Sequence, residues 1–114
     1  MIQVLHNPRC GKSRGCLAFT TESQIPFEIR NYIENPLSVD ELKALIKKLD
    51  IKPIELVRQK ESIWTEKFIG KKMTNAQIIK AIAQYPILMQ RPIVIDGDRA
   101  IIGRETEKLE EFLK

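Results

Sequence analysis

The stretch Pro92-Ile93-Val94-Ile95-Asp96-Gly97-Asp98-Arg99-Ala100-Ile101-Ile102-Gly103 decides how the chain is organised. Ile93-Val94-Ile95 and Ala100-Ile101-Ile102 are short, continuous apolar runs rich in β-branched residues, as buried strands are. Asp96-Gly97-Asp98 between them is a strong turn signal, so the two runs form a hairpin. Working outward, Arg91 precedes the first arm and Arg104 follows the second. Antiparallel pairing puts those two ends side by side, which makes the two arginines neighbours by topology. Beyond the hairpin, Glu105 to Lys114 reads as a closing helix with Leu109, Phe112 and Leu113 turned inward.

At the start of the chain, Ile2 to His6 reads as a short buried strand stopped by Asn7-Pro8. A helix carrying Leu17 and Phe19 follows, with Ser13 as its expected N-cap. Phe27 and Ile29 alternate with Glu28 and Arg30, so a second strand enters after Pro26. A strand–helix–strand unit needs a crossover connection, whereas the hairpin is antiparallel. The expected architecture is therefore an α/β fold with a four-stranded mixed sheet and flanking helices.

Between these parts, Ser38-Val39-Asp40-Glu41 is a capping box. It opens a helix with Leu42, Leu45, Ile46 and Leu49 on one face, closed by Asp50 and Pro53. From Pro53 to Tyr85 no convincing strand appears. Ile63, Trp64 and Phe68 suit one helical face and read as core. Gly70-Lys71-Lys72 is a solvated turn. Thr74-x-x-Gln77 is a second capping box ahead of Ile78, Ile79, Ile82 and Ala83. Residues 53–85 thus form a helical insertion within one domain spanning 1–114. The rival reading adds a strand at residues 54–58.

With 114 residues and 43% hydrophobic content, the chain supports one ordinary core without staples. Acids and bases are interspersed, and a net charge of +4 with no polybasic tail gives nucleic-acid binding little support. The two cysteines, six apart, match neither a disulfide scaffold nor zinc-ligand spacing, and His6 is the only histidine. No metal is expected. The N-terminus lacks a cleavable-leader pattern, and the apolar runs are far too short to span a membrane. Such a chain is expected to be cytoplasmic, where a free thiol survives, and to work as a monomer.

The chemistry gathers in His6-Asn7-Pro8-Arg9-Cys10-Gly11-Lys12-Ser13-Arg14. A cysteine at a strand-to-helix turn sits where backbone N–H groups favour a thiolate. Arg9, Lys12 and Arg14 add positive charge, and Gly11 permits close approach of an anion. Cys10 is expected to be an exposed nucleophile with a lowered pKa. His6 reads either as a structural strand end or as a thiolate partner. Ser13 reads as a helix cap or as a donor to the Cys10 sulfur. Cys16 reads as a small core hydrophobe or as a resolving thiol. An intervening helix places it beyond the roughly 7 Å Cα limit for an unstrained disulfide. Arg58, Arg91 and Arg104 carry the planar forks that suit a tetrahedral oxyanion. Pro92 stands first in its strand, where proline is tolerated in either isomer.

The Cys10 run, together with Arg58, Arg91-Pro92 and Gly103-Arg104, resembles the glutaredoxin-linked arsenate reductase family over nearly the whole chain. The resemblance implies a thioredoxin-like fold with a helical insertion before the third strand. It implies Cys10 as nucleophile, Arg58, Arg91 and Arg104 as holders of the anion, and a cis-proline at Pro92. His6 and Ser13 would lower the nucleophile's pKa. The implied activity is reduction of arsenate to arsenite, with glutathione as co-substrate, glutaredoxin as protein partner and no bound cofactor. Cys16 lies outside the family's signature, and Lys12 and Arg14 have no assigned role. The same superfamily holds reductase-like proteins for other oxyanions or disulfides. It also holds redox-sensing transcriptional regulators that bind RNA polymerase and commonly carry a C-x-x-C pair, which this chain lacks.

Overall fold

The computed structural model describes residues 2–103 and 106–113, without the side chains of Lys12, Ser13 and Thr106. In chain order the elements are β1 (Ile2–His6), α1 (Gly11–Glu22), β2 (Phe27–Asn31), α2 (Val39–Leu49), α3 (Ser62–Lys67), α4 (Asn75–Gln84), β3 (Ile93–Asp96), β4 (Arg99–Ile102) and α5 (Thr106–Leu113). Short 3₁₀ turns occupy Pro53–Leu56 and Pro86–Leu88. The chain divides into two compact units, Met1–Asn35 with Arg91–Lys114, and Pro36–Gln90.

The first unit is built on a four-stranded sheet of order β2-β1-β3-β4. β1 pairs with β2 in parallel and with β3 antiparallel, and β3 pairs antiparallel with β4. The sheet is mixed, as the hairpin and the crossover together require. Gly97 takes a φ of 59° at the first position of the two-residue loop, where a type II′ turn needs a residue without Cβ. Val4, Val94 and Ile101 lie in register across three strands. Val4 and Val94, with Ile2, meet Cys16 of α1 and Leu109 of α5 in one apolar cluster. The period of two sends Leu5 and Ile93 to the opposite face, where both are fully buried. Ile29 departs from the expected inward alternation and is 52% exposed, because β2 is an edge strand.

In the second unit both capping boxes form: Ser38 with Glu41 opens α2, and Thr74 with Gln77 opens α4. A cap contributes about 1 kcal/mol. Burying Leu42, Leu45 and Ile46 contributes about 1.5–3 kcal/mol each, so burial holds α2 in place while the cap sets its start. Trp64 is buried and packs on Phe68 at a centroid distance of 5.4 Å. Phe68 in turn meets Tyr85 edge-on at 6.1 Å. Residues 54–58 add no strand. Pro53–Leu56 winds into a 3₁₀ turn, and only Val57 pairs, in an isolated antiparallel bridge to Met89.

Candidate active site

The β1–α1 turn starts from Asn7. Its backbone oxygen accepts from the Cys10 N–H at 3.0 Å, and its side-chain Oδ1 accepts from the Arg9 N–H at 3.0 Å. These two bonds curl the chain so that Cys10, still extended at φ −103° and ψ 123°, becomes the residue before the first helical turn. The Arg14 N–H donates to the Cys10 carbonyl at 3.0 Å, the first bond of α1. The N-cap is therefore Cys10, not the expected Ser13, which lies inside the first turn. Helix propensity undervalues Gly11 as a start, but the Asn7 turn closes locally and fixes the cap upstream of it. From the cap position a side chain is directed at the unpaired N–H groups of the first turn, where the helix dipole favours negative charge.

Cys10 is 8% exposed, which corrects the expectation of an exposed thiol. His6 and Asn7, on the same turn, are likewise buried at 8% and 7%. Arg14 is exposed, and its Nη2 lies 3.8 Å from where a Cβ on Gly11 would stand. Its head group thus folds back over the start of the helix and carries its charge there. Glycine at position 11 leaves that space open.

Arg91 reaches the same end of the sheet by register. Leu5 pairs with Ile93, and continuing that antiparallel pairing sets Arg91 across from Asn7. The Arg91–Pro92 peptide bond is cis. The Gly103 N–H donates to the Pro92 carbonyl at 2.7 Å, which ties the end of β4 to the start of β3. Arg91 Nε is buried and has no hydrogen-bond partner among the described residues. A buried guanidinium N–H left unpaired is costly, which marks it as a group awaiting an acceptor.

Of the remaining candidates, Arg58 belongs to the second unit. Its Nη1 pairs with Glu61 at 2.8 Å, with about a quarter of each side chain exposed. Arg104 and the side chains of Ser13 and Lys12 lie outside the described residues. Cys16 has the environment of a core residue: it is 4% exposed among Ile2, Val4, Val94 and Leu109. Burial pushes its thiol up to about 11, with the Thr20 hydroxyl partly opposing the rise. Neither Cys10 nor Cys16 is in a disulfide. Six residues of helix separate them by roughly 9 Å along the axis, too far for a disulfide without unwinding α1.

Sequence reasoning missed the part of Asn7, reading it only as a strand stop. The Asn-Pro pair carried the signal, because Asn side chains bond their own backbone two residues on. It also missed the Arg58–Glu61 pair, although a spacing of three between opposite charges hinted at it.

The arrangement is a cysteine at a helix N-terminus, a buried histidine and an arginine with an unsatisfied N–H, all at one end of a mixed sheet. The model of the ArsC family matches residues 5–112. The chain belongs to the ArsC family. Among its relatives, a Haemophilus influenzae protein named arsenate reductase is 37% identical over 96% of this chain and 97% of its own length. The solved structure of an arsenate reductase from Vibrio cholerae superimposes with a TM-score of 0.91, at 33% identity, covering 96% of this chain and 95% of that one. The fold of this ArsC-family chain is thioredoxin-like, as expected. The family also reaches a Bacillus subtilis protein named global transcriptional regulator Spx, 27% identical over 99% of this chain and 87% of its own length.

Proposed function

We propose that this chain is a cytoplasmic, monomeric arsenate reductase that uses Cys10 as its nucleophile. The observation that carries this reading is Cys10 as N-cap of α1, with Arg14 folded over the helix start. A helix N-terminus binds a tetrahedral oxyanion and favours a thiolate with the same N–H groups and the same dipole. Arg91, with its unsatisfied Nε–H, lies at the same end of the sheet and offsets the anion's charge. By the family's pattern Arg58 and Arg104 are assigned to the anion as well. His6 and Ser13 keep Cys10 ionised.

The Cys10 thiolate attacks arsenic(V). An S–As bond forms, an As–O bond breaks, and the oxygen leaves as water after taking up protons. Glutathione thiolate then attacks the Cys10 sulfur. An S–S bond forms and the S–As bond breaks, with its electron pair passing to arsenic, which leaves as arsenite. The two sulfurs have supplied the two electrons. Glutaredoxin reduces the mixed disulfide and restores Cys10. A thiol this enclosed suits a small oxyanion and a tripeptide better than a bulky protein as first contacts.

The test is arsenate reduction followed with glutathione and glutaredoxin, or with thioredoxin, as donor. Activity is expected with the first pair alone, with competition by phosphate and sulfate. Arg91→Ala should lower kcat/KM by about 100-fold, the usual loss for one oxyanion donor. Absence of turnover with every donor would overturn the assignment. It would leave the regulator reading, favoured by the Spx relative, to be tested by a stoichiometric complex with RNA polymerase.

A further inference from the structure

The chain's charge is unevenly distributed. The unit Pro36–Gln90 holds ten basic against six acidic residues, while the rest of the chain holds nine of each. From Lys67 to Gln90 there are four lysines and no acidic residue, so this one stretch matches the whole net charge of +4. Lys67 is occupied, with its ammonium 5.5 Å from the Tyr85 ring centroid. The other three, Lys71, Lys72 and Lys80, line a groove of about 310 Å³ beside the start of α4. Among the described residues none of these three has an ion-pair partner.

The groove is not merely charged. Phe68, Met73 and Ala81 contribute apolar surface to it. Ile69, next in the chain to Phe68, is 62% exposed, more than Ile29, Ile33 or Ile87. Gly70, at φ 78°, turns the chain sharply so that the two lysines following it come back to the α4 side. The turn leaves an apolar concavity with cations on its margin. Α4 itself has no acidic residue in its first turn to offset its dipole, so negative charge is favoured there from outside.

We propose that this groove docks an acidic segment of a partner protein, one that presents an apolar side chain flanked by carboxylates. The apolar side chain enters between Phe68 and Met73, and the carboxylates meet Lys71, Lys72 and Lys80. Methionine adapts to varied apolar shapes, which suits a peptide anchor. Nucleic acid is disfavoured as the occupant. The groove offers lysines rather than arginine forks, and a single aromatic ring rather than a row of stacking platforms. Carboxylate contacts at an exposed rim steer association, so binding should weaken steeply with salt.

The experiment is selection of twelve-residue peptides from a random display library on the full chain, followed by affinity measurement. Enriched sequences should combine several Asp or Glu with a Leu, Met or Phe. The leading peptide should lose at least tenfold affinity for Lys71→Glu/Lys72→Glu/Lys80→Glu, and similarly for Met73→Asp. These lysines and Met73 are exposed or half-buried, and circular dichroism of the variants checks that each is folded. NMR shifts on titration should centre on residues 68–84. The proposal is overturned if the enriched peptides are not acidic, or if they bind the charge-reversed chain equally well. It is also overturned if a twelve-nucleotide oligothymidine binds more tightly than the leading peptide with the same lysine dependence.

Discussion

Cys10 and Cys16 lie six residues apart along one stretch of chain, and the fold treats them in opposite ways. Cys10 is the N-cap of α1, at the positive end of the helix, with the Arg14 head group close to Gly11 in the first turn. Cys16 sits inside the helix among Ile2, Val4, Val94 and Leu109, where its thiol is pushed up to about 11. Both are buried by area, at 8% and 4%, so exposure does not separate them. What separates them is the field each sulfur meets. One stands at the positive end of a helix; the other is surrounded by hydrocarbon that disfavours charge. Burial alone is thus a poor guide to which cysteine reacts.

The sharpest way to break this contrast is by activity. Cys10→Ser should abolish arsenate reduction, by at least about 1,000-fold, because a serine hydroxyl at neutral pH is a far weaker nucleophile. Cys16→Ala should keep turnover within about threefold, because in the proposed mechanism an external thiol supplies the second sulfur, and six residues of helix separate the two cysteines. Steady-state assays with glutathione and glutaredoxin check both. Loss of turnover in folded Cys16→Ala would show an intramolecular dithiol and collapse the contrast.

A second measurement compares the sulfurs directly. At pH 8 a thiol with a pKa of about 11 is ionised to only about one part in a thousand, and Cys16 is also enclosed. Iodoacetamide should therefore modify Cys10 at least about 100-fold faster than Cys16. Mass spectrometry should find one adduct on the native chain and two after denaturation. Equal rates in the native state would mean that the helix start confers no special reactivity.

How much of this was legible in the sequence follows from how local each cause is. The hairpin at Asp96-Gly97 and the capping boxes at Ser38 and Thr74 are written within four residues, and each forms as read. Leu42, Leu45 and Ile46 were legible because a helix repeats its face every three or four residues. Arg91 beside the end of β4 followed from antiparallel pairing alone. Ile29 did not, because its exposure depends on β2 lying at the sheet edge, and strand order is not a local property. The enclosure of Cys10 was hidden for a similar reason: it depends on how the turn through His6 and Asn7 packs. The cap itself lay between two signals, the propensity argument for Ser13 and the Asn7 turn that favours Cys10, and the turn's hydrogen bonds decide it.

The smallest expected effect sharpens the contrast from the Cys16 side, through stability against pH. The folded chain holds the Cys16 thiol at about 11, above its ordinary value of 9.0. Between those values the unfolded chain releases the proton while the folded chain retains it. The folded state therefore binds more protons there, and stability falls as pH rises. The contribution is fully present below pH 9 and is lost as pH passes through 11. Two pKa units correspond to a full loss of about 3 kcal/mol, about a hundredfold in the folding equilibrium. Lysines and tyrosines titrate in the same range, so the wild-type slope alone decides nothing. The informative quantity is the difference between wild type and Cys16→Ala in urea melts at pH 8, 9, 10 and 11. Cys16→Ala should start less stable by about 1 kcal/mol, from lost apolar contact, and the gap should close or reverse by pH 11. Serine is the poorer probe, since a hydroxyl among Ile2, Val4 and Val94 costs about 1–3 kcal/mol at every pH unless it finds a partner. Parallel stability curves for wild type and Cys16→Ala would show that hydrocarbon burial is not what keeps this sulfur neutral.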